Sequence, residues 1–93
     1  MRTETNTEKR VRALVEQAQN ADFQVTRPYP DEDPEHWESW WLHQRNGNID
    51  SIVLHNHKLF SCQMMGLGYR RHTHHTVSLR VFEDTWRGRI ANR

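Results

Sequence analysis

The stretch "WWLHQRNGNIDSIVL", residues 40–54, has an Asn-Gly pair between two segments rich in aromatic and β-branched residues. Asn-Gly is the dipeptide most typical of a two-residue type I′ turn, in which both central residues have positive φ. The stretch therefore predicts a β-hairpin that reverses at Asn46-Gly47. A competing interpretation makes residues 34–45 a helix, with Asp33 as the N-cap and Pro34 at its first position.

The pairing register favours the hairpin over the helix. With Asn46-Gly47 as the turn, Trp40 lies opposite Val53, and a second tight turn at Asn56-His57 adds a third strand. One face of this sheet then collects a set of largely apolar side chains: Trp40, Leu42, Ile49, Val53, Phe60, Cys62 and Met64. We therefore predict a three-stranded meander over residues 38–45, 49–55 and 58–65.

The N-terminal segment carries the clearest helix signal. Thr5 and Glu8 match a capping box, and apolar residues then recur at helical spacing from Val11 to Ala18. This pattern predicts an amphipathic helix over residues 6–20, followed by a short strand at Phe23–Thr26.

The C-terminal third predicts one more strand. Val77, Leu79 and Val81 alternate with other side chains, and the last ten residues show no strong pattern. The whole chain predicts a single domain, residues 1–93, with residues 1–5 and 88–93 outside its ordered part. Its expected class is α+β, with one N-terminal amphipathic helix packed on a mainly antiparallel sheet of four or five strands.

Composition excludes several classes of protein. The 93 residues include 13 basic and 12 acidic side chains, so no strong global field attracts nucleic acid or an anionic membrane. The single cysteine, Cys62, excludes an intramolecular disulfide and a cysteine-based zinc site, and it is expected in the core rather than as a nucleophile. No apolar run has the length of a signal sequence or a membrane span, so a cytoplasmic location is expected.

The neighbouring tryptophans should have different roles. Trp40 is expected in the core, whereas Trp41 should face the other side of the sheet with Ile52 and Leu54. Because one helix covers one face, this second face is predicted to be a part-apolar interaction surface. In the alternative, Tyr29, Trp37 or the segment around Trp86 folds over it.

Seven histidines raise the question of a chemical site. Zinc needs three or four converging ligands, and His72-x-His74 supplies two at most, so we expect no metal or cofactor. The loop Tyr69–His75 supports an alternative, an RNA-binding protein or a metal-independent ribonuclease with histidines as acid and base. The order of one helix and three strands resembles the double-stranded-RNA-binding-like fold of small mRNA-cleaving toxins, although the closing helix of that fold is not predicted.

The interpretation that we favour is a non-enzymatic protein-binding module. Aromatic and arginine side chains suit that function because they bury a large area at interfaces. The expected partner is a host protein bound by a phage or mobile-element protein, or a second copy in a homodimer. The candidate binding residues are Tyr29, Trp37, Trp41, His43, Ile52, Leu54, Arg70 and Arg71.

Overall fold

Two helices and five strands make up the part of the chain that this computed structural model describes, residues 4–28, 36–65 and 74–93. In chain order they are α1 (Asn6–Asn20), β1 (Val25–Thr26), β2 (Trp37–His43), β3 (Ile49–His55), β4 (Lys58–Met65), β5 (His74–Val77) and α2 (Leu79–Ala91). The strands form one antiparallel sheet in the order β1-β2-β3-β4-β5. Both helices pack on it and share one core, which confirms the predicted α+β class.

Helix α1 begins where the capping box places it. The Glu8 amide donates to Thr5 Oγ1 at 3.1 Å, and the Thr5 amide donates to Glu8 Oε1 at 2.9 Å. The two bonds satisfy orphan backbone donors of the first turn. Val11, Leu14 and Ala18 then lie fully buried against the sheet.

The β2–β3 hairpin exists, but its predicted register is wrong by one residue. The Gln44 amide donates to Asn48 O at 2.8 Å, so the loop has three residues, 45–47, with Gly47 at φ 94°. A three-residue loop that ends in a left-handed glycine is the next most common hairpin connection after the two-residue turn. Trp40 therefore pairs with Ile52 rather than Val53.

This shift exchanges the two faces of β3. Ile52 and Leu54, which were expected on the second face, are fully buried beneath the helices. Ile49 and Val53, which were expected in the core, are only partly buried and alternate onto the other face. The helix alternative for residues 34–45 is wrong, because β2 occupies most of that range.

The second turn is as predicted, with Asn56 and His57 both at positive φ, 49° and 68°. Beyond it Leu54 pairs with Leu59, whereas Val53 pairs with Ser61, so β4 contains a β-bulge at Phe60. The extra residue turns Phe60 outward, and its side chain is 63% exposed instead of belonging to the core.

Helix α2 is the element that the sequence prediction missed. Strand β5 ends at Val77, and the Val81 amide donates to Ser78 Oγ at 3.2 Å, so Ser78 is the N-cap of a helix and not part of a strand. Leu79, Phe82 and Trp86 recur at helical spacing and are buried. The predicted alternation of Val77, Leu79 and Val81 is therefore accidental, since Val81 is 44% exposed on α2.

Trp86 anchors α2 on the same side of the sheet as α1. Its ring is fully buried and meets the Phe23 ring edge-on, with the centroids 5.1 Å apart. Trp86 therefore does not cover the second face. No helix in residues 4–28, 36–65 and 74–93 is long and apolar enough to cross a membrane.

Candidate binding surface

The sheet face opposite the two helices is the candidate site, and we call it the open face. It consists of alternate strand residues together with the bulge residue Phe60. On β1 and β2 these are Thr26, Trp37, Ser39, Trp41 and His43; on β3, Ile49, Ser51, Val53 and His55; on β4, Lys58, Phe60, Ser61, Gln63 and Met65; and on β5, His74 and Thr76. No described helix packs on this face.

Stacked rings occupy one end of the open face. The Trp37 indole stacks on its cross-strand partner His55, with the centroids 4.0 Å apart and the planes 16° apart. The Phe60 ring meets the same indole edge-on at 4.9 Å. Aromatic pairs in these geometries stabilise each other beyond the area they bury, so the three rings form a preorganised ridge.

Trp41 lies farther along β2 on the same face. Its side chain is 40% exposed, whereas that of Trp40 next to it is 4% exposed. The prediction that these neighbours face opposite sides of the sheet is therefore confirmed. His43 is half-buried beyond Trp41, and its Nε2 lies 2.9 Å from Thr26 Oγ1, which ties β1 to the end of β2.

The open face is nearly uncharged. None of its described residues is an aspartate or a glutamate, and its one lysine, Lys58, lies at the edge beside the Asn56-His57 turn. The acidic residues of β2 and β3, Glu38 and Asp50, lie on the helix side, where Asp50 is buried. The surface therefore combines aromatic rings and methionine with neutral polar groups.

Of the eight predicted binding residues, three lie together on the open face: Trp37, Trp41 and His43. Ile52 and Leu54 belong to the core because of the register shift, so the prediction that they bind a partner is wrong. Tyr29, Arg70 and Arg71 lie outside the described residues, as does most of the Tyr69–His75 segment. Phe60, like Ile49 and Val53, was expected in the core but lies on the open face, where the bulge in β4 leaves it without a cross-strand partner.

A second cluster joins the start of α1 to the β3–β4 turn. Glu8, Glu38 and His57 bring one ligand atom each within 4.8 Å of one another, a set that spacing along the chain does not reveal. His57 Nδ1 lies 3.0 Å from Glu8 Oε2, and Thr5 Oγ1 donates to His57 O at 3.0 Å. Carboxylate and imidazole are groups that can hold a divalent metal.

Arg12 already supplies a cation to this cluster. Its Nη2 lies 2.8 Å from Glu38 Oε2 and 3.7 Å from Glu8 Oε2. Burial lowers the pKa of Arg12, but the hydrogen bond and the charge of Glu38 outweigh that effect and raise it above its ordinary value. A metal ion would have to displace this guanidinium, so the geometry supports a structural role for the cluster.

Asp50 is a fully buried carboxylate that joins three parts of the fold. Its Oδ1 accepts from Gln44 Nε2 and from the Met65 amide, both at 2.9 Å. Its Oδ2 accepts from Trp86 Nε1 at 3.0 Å and pairs with Arg89 Nη1 at 2.6 Å. Four donors on two oxygens make Asp50 a structural acceptor without a free lone pair for catalysis.

Cys62 is buried in the core, as predicted. Burial raises the pKa of its thiol to about 11, with a smaller contribution from the negative charge of Glu83. A thiol that stays protonated at neutral pH is a poor nucleophile. Glu83 is itself buried and is held by Arg10, so these side chains brace α1 against α2.

Comparison with known proteins finds no match among protein-family models, curated proteins or solved structures. The resemblance of the predicted element order to small mRNA-cleaving toxins finds no support in these comparisons. Because no solved structure matches, that resemblance carries no argument about function.

Proposed function

We propose that this protein is a non-enzymatic binding module that holds another protein on its open face. The observation that carries the proposal is a set of exposed aromatic side chains, Trp41 and Phe60 among them, on the side of the sheet away from both helices. Exposed apolar side chains grouped on one face of a small domain are typical of interaction sites.

The composition of the open face favours a protein over RNA as the partner. The centre of a protein interface is poor in charged residues and rich in aromatic residues and methionine, as this face is. A surface that binds single-stranded RNA also stacks bases on aromatic rings, but it follows the backbone with a positively charged groove. Lys58, at the edge of the open face beside the β3–β4 turn, is the one lysine or arginine among the described open-face residues, and a single cation does not form such a groove.

The partner we propose is a host protein, bound in the cytoplasm by a protein of a phage or another mobile element. A small chain with a rigid aromatic face and no catalytic constellation among its described residues suits a protein that acts by occupying a surface of its target. The free, buried Cys62 is compatible with a reducing compartment.

The test compares Trp41→Ala with a matched substitution on the helix side. Val81 on α2 is as exposed as Trp41, at 44% against 40%, but lies away from the open face. We expect Trp41→Ala to abolish capture of the partner from a lysate of the host, and Val81→Ala to leave capture unchanged. Both variants should melt close to the wild-type temperature, since truncating exposed side chains costs little stability.

Hydrogen exchange on the captured complex locates the interface. We expect protection of β2 and β4, which carry Trp41 and Phe60. Capture that survives Trp41→Ala and Phe60→Ala would contradict the proposal, as would captured RNA in place of protein. Dimerisation of the purified chain through Trp41 in sedimentation equilibrium would identify a second copy as the occupant.

A further inference from the structure

A cleft of about 560 Å³ opens between the β2–β3 turn and the last turns of α2. Three arginines line it: Arg45 from the turn, and Arg89 and Arg93 from the C-terminal end of the chain. None of its lining residues is an aspartate or a glutamate. The cleft is thus bordered by cations and amides, with donors in excess of acceptors.

Two of these arginines, Arg45 and Arg93, are held in place by carbonyl groups and form no ion pair with a described residue. Arg45 donates to Ala21 O and Asp22 O at the end of α1, at 3.1 and 3.0 Å, and its guanidinium lies 4.1 Å from the centroid of the Phe23 ring. Arg93 donates to Ile90 O at 2.9 Å. A guanidinium has five N–H donors, so these bonds to helix-end carbonyls leave donors on both side chains for a ligand.

Arg89, the third arginine, is held by an ion pair and a ring contact. It pairs with Asp50 and lies over the Trp86 ring, 4.9 Å from its centroid. Three other groups also donate hydrogen bonds to Asp50, so the negative charge of this carboxylate does not depend on Arg89 alone for its stabilisation. With its side chain 25% exposed, Arg89 presents a fixed edge to solvent.

Gly88 lies in the wall of the cleft. Glycine within a helix costs about 1 kcal/mol relative to alanine. A Cβ added at Gly88 would meet no atom within 4 Å, so packing within the described fold does not require the glycine. Its effect is to leave the wall of the cleft without a side chain.

We propose that the cleft binds a small molecule that carries a phosphate group. The planar guanidinium matches two phosphate oxygens at once, which suits this group better than a point charge would. The volume lies within the range of small-molecule sites. Such a ligand would bridge the β2–β3 turn and the end of α2, which the fold otherwise connects through Asp50.

The experiment titrates the full chain with inorganic pyrophosphate at low ionic strength, followed by calorimetry and amide NMR shifts. We expect shifts at Arg45, Gly88 and Arg93. Gly88→Leu should weaken binding at least about tenfold by filling the cleft, whereas the matched Gly88→Ala should retain it. Arg93→Gln should also weaken binding, but Arg80→Gln should not, since Arg80 is 87% exposed at the other end of α2.

Three outcomes would overturn the proposal: no pyrophosphate binding at millimolar concentration, equal binding by Gly88→Leu and Gly88→Ala, or binding of a single-stranded oligonucleotide alone. The last outcome would identify a polyanion surface instead of a small-molecule site. Because Trp41 lies on the open face, Trp41→Ala should leave pyrophosphate binding unchanged. Failure of this proposal is therefore distinguishable from failure of the protein-binding function.

Discussion

Asp50 shows how much one buried side chain contributes to the stability of the fold when each of its oxygens accepts two hydrogen bonds. A carboxylate only accepts, and all four groups around Asp50 donate. An asparagine of the same shape would have to direct its NH₂ group at one of the two pairs of donors. The site is therefore selective for a carboxylate, although the group carries out no chemistry.

We expect Asp50→Asn to lower the free energy of unfolding by about 3 kcal/mol, because it removes a buried charge pair and sets donor against donor. Urea unfolding followed by tryptophan fluorescence measures the loss. The control is Asp84→Asn, because Asp84 is exposed and lies 3.9 Å from Arg80. Exposed pairs contribute little, so equal losses for the two variants would contradict the assigned role.

Turns and caps decide where each element lies, and they also explain which predictions failed. Asn-Gly is compatible with both a two-residue and a three-residue loop, so the sequence indicated the hairpin but not its register. That one-residue difference moved Ile52 and Leu54 from the predicted surface into the core. Helix α2 was missed because the local alternation of Val77, Leu79 and Val81 is typical of a strand, and packing of Phe82 and Trp86 decides otherwise.

The two described glycines should respond to alanine in opposite directions. A Cβ at either position meets no atom within 4 Å, so the backbone alone determines the effect. Gly47 has φ 94° in the β2–β3 loop, and alanine there should lower the stability by about 1 kcal/mol. Gly88 lies in α2, and alanine there should raise the stability by about 1 kcal/mol.

Chemical denaturation of the two single variants and of the double variant measures both effects. Because the sites act through separate elements, the double variant should lie near wild type. A loss of stability on Gly88→Ala would show that the glycine is needed by the fold, and would remove its support for the cleft.

At the scale of the whole molecule, the order of layers was predictable and the identity of the exposed residues was only partly so. A chain of this length supports one core, and the capping box together with two hairpin signals was enough to assign the α+β class. That neither described helix covers the second face of the sheet was also expected, although for an incomplete reason. Both helices pack on the same face, and the bulge that turns Phe60 outward has no signal in the local sequence.

The fold as a whole keeps the Cys62 thiol neutral, so the stability of the protein should depend on pH in the range where the thiol ionises. The pKa of the thiol rises from 9.0 to about 11 in the folded chain, so the folded state retains its proton when the unfolded state loses it. The contribution of the protonated thiol to the stability of the folded state is complete below pH 9 and is lost as the pH rises towards 11.

We therefore expect wild type to lose more stability than Cys62→Ala between pH 9 and pH 11, as measured by urea unfolding at each pH. Alkylation of the native thiol at pH 8 should be at least about a hundredfold slower than in denaturant, in proportion to the thiolate present. Parallel pH profiles for the two chains, or rapid alkylation of the native protein, would contradict the assignment.

The bulge in β4 also bears on how this chain tolerates a change in length. Deleting one residue from a regular strand turns every side chain on one side of the deletion to the opposite face of the sheet. Core side chains then become exposed to water. Residue 60 is the surplus member of its ladder, so its removal would leave Leu59 and Cys62 still directed inward. Among the described sheet positions, residue 60 is therefore one that a related protein could lack while keeping the same core.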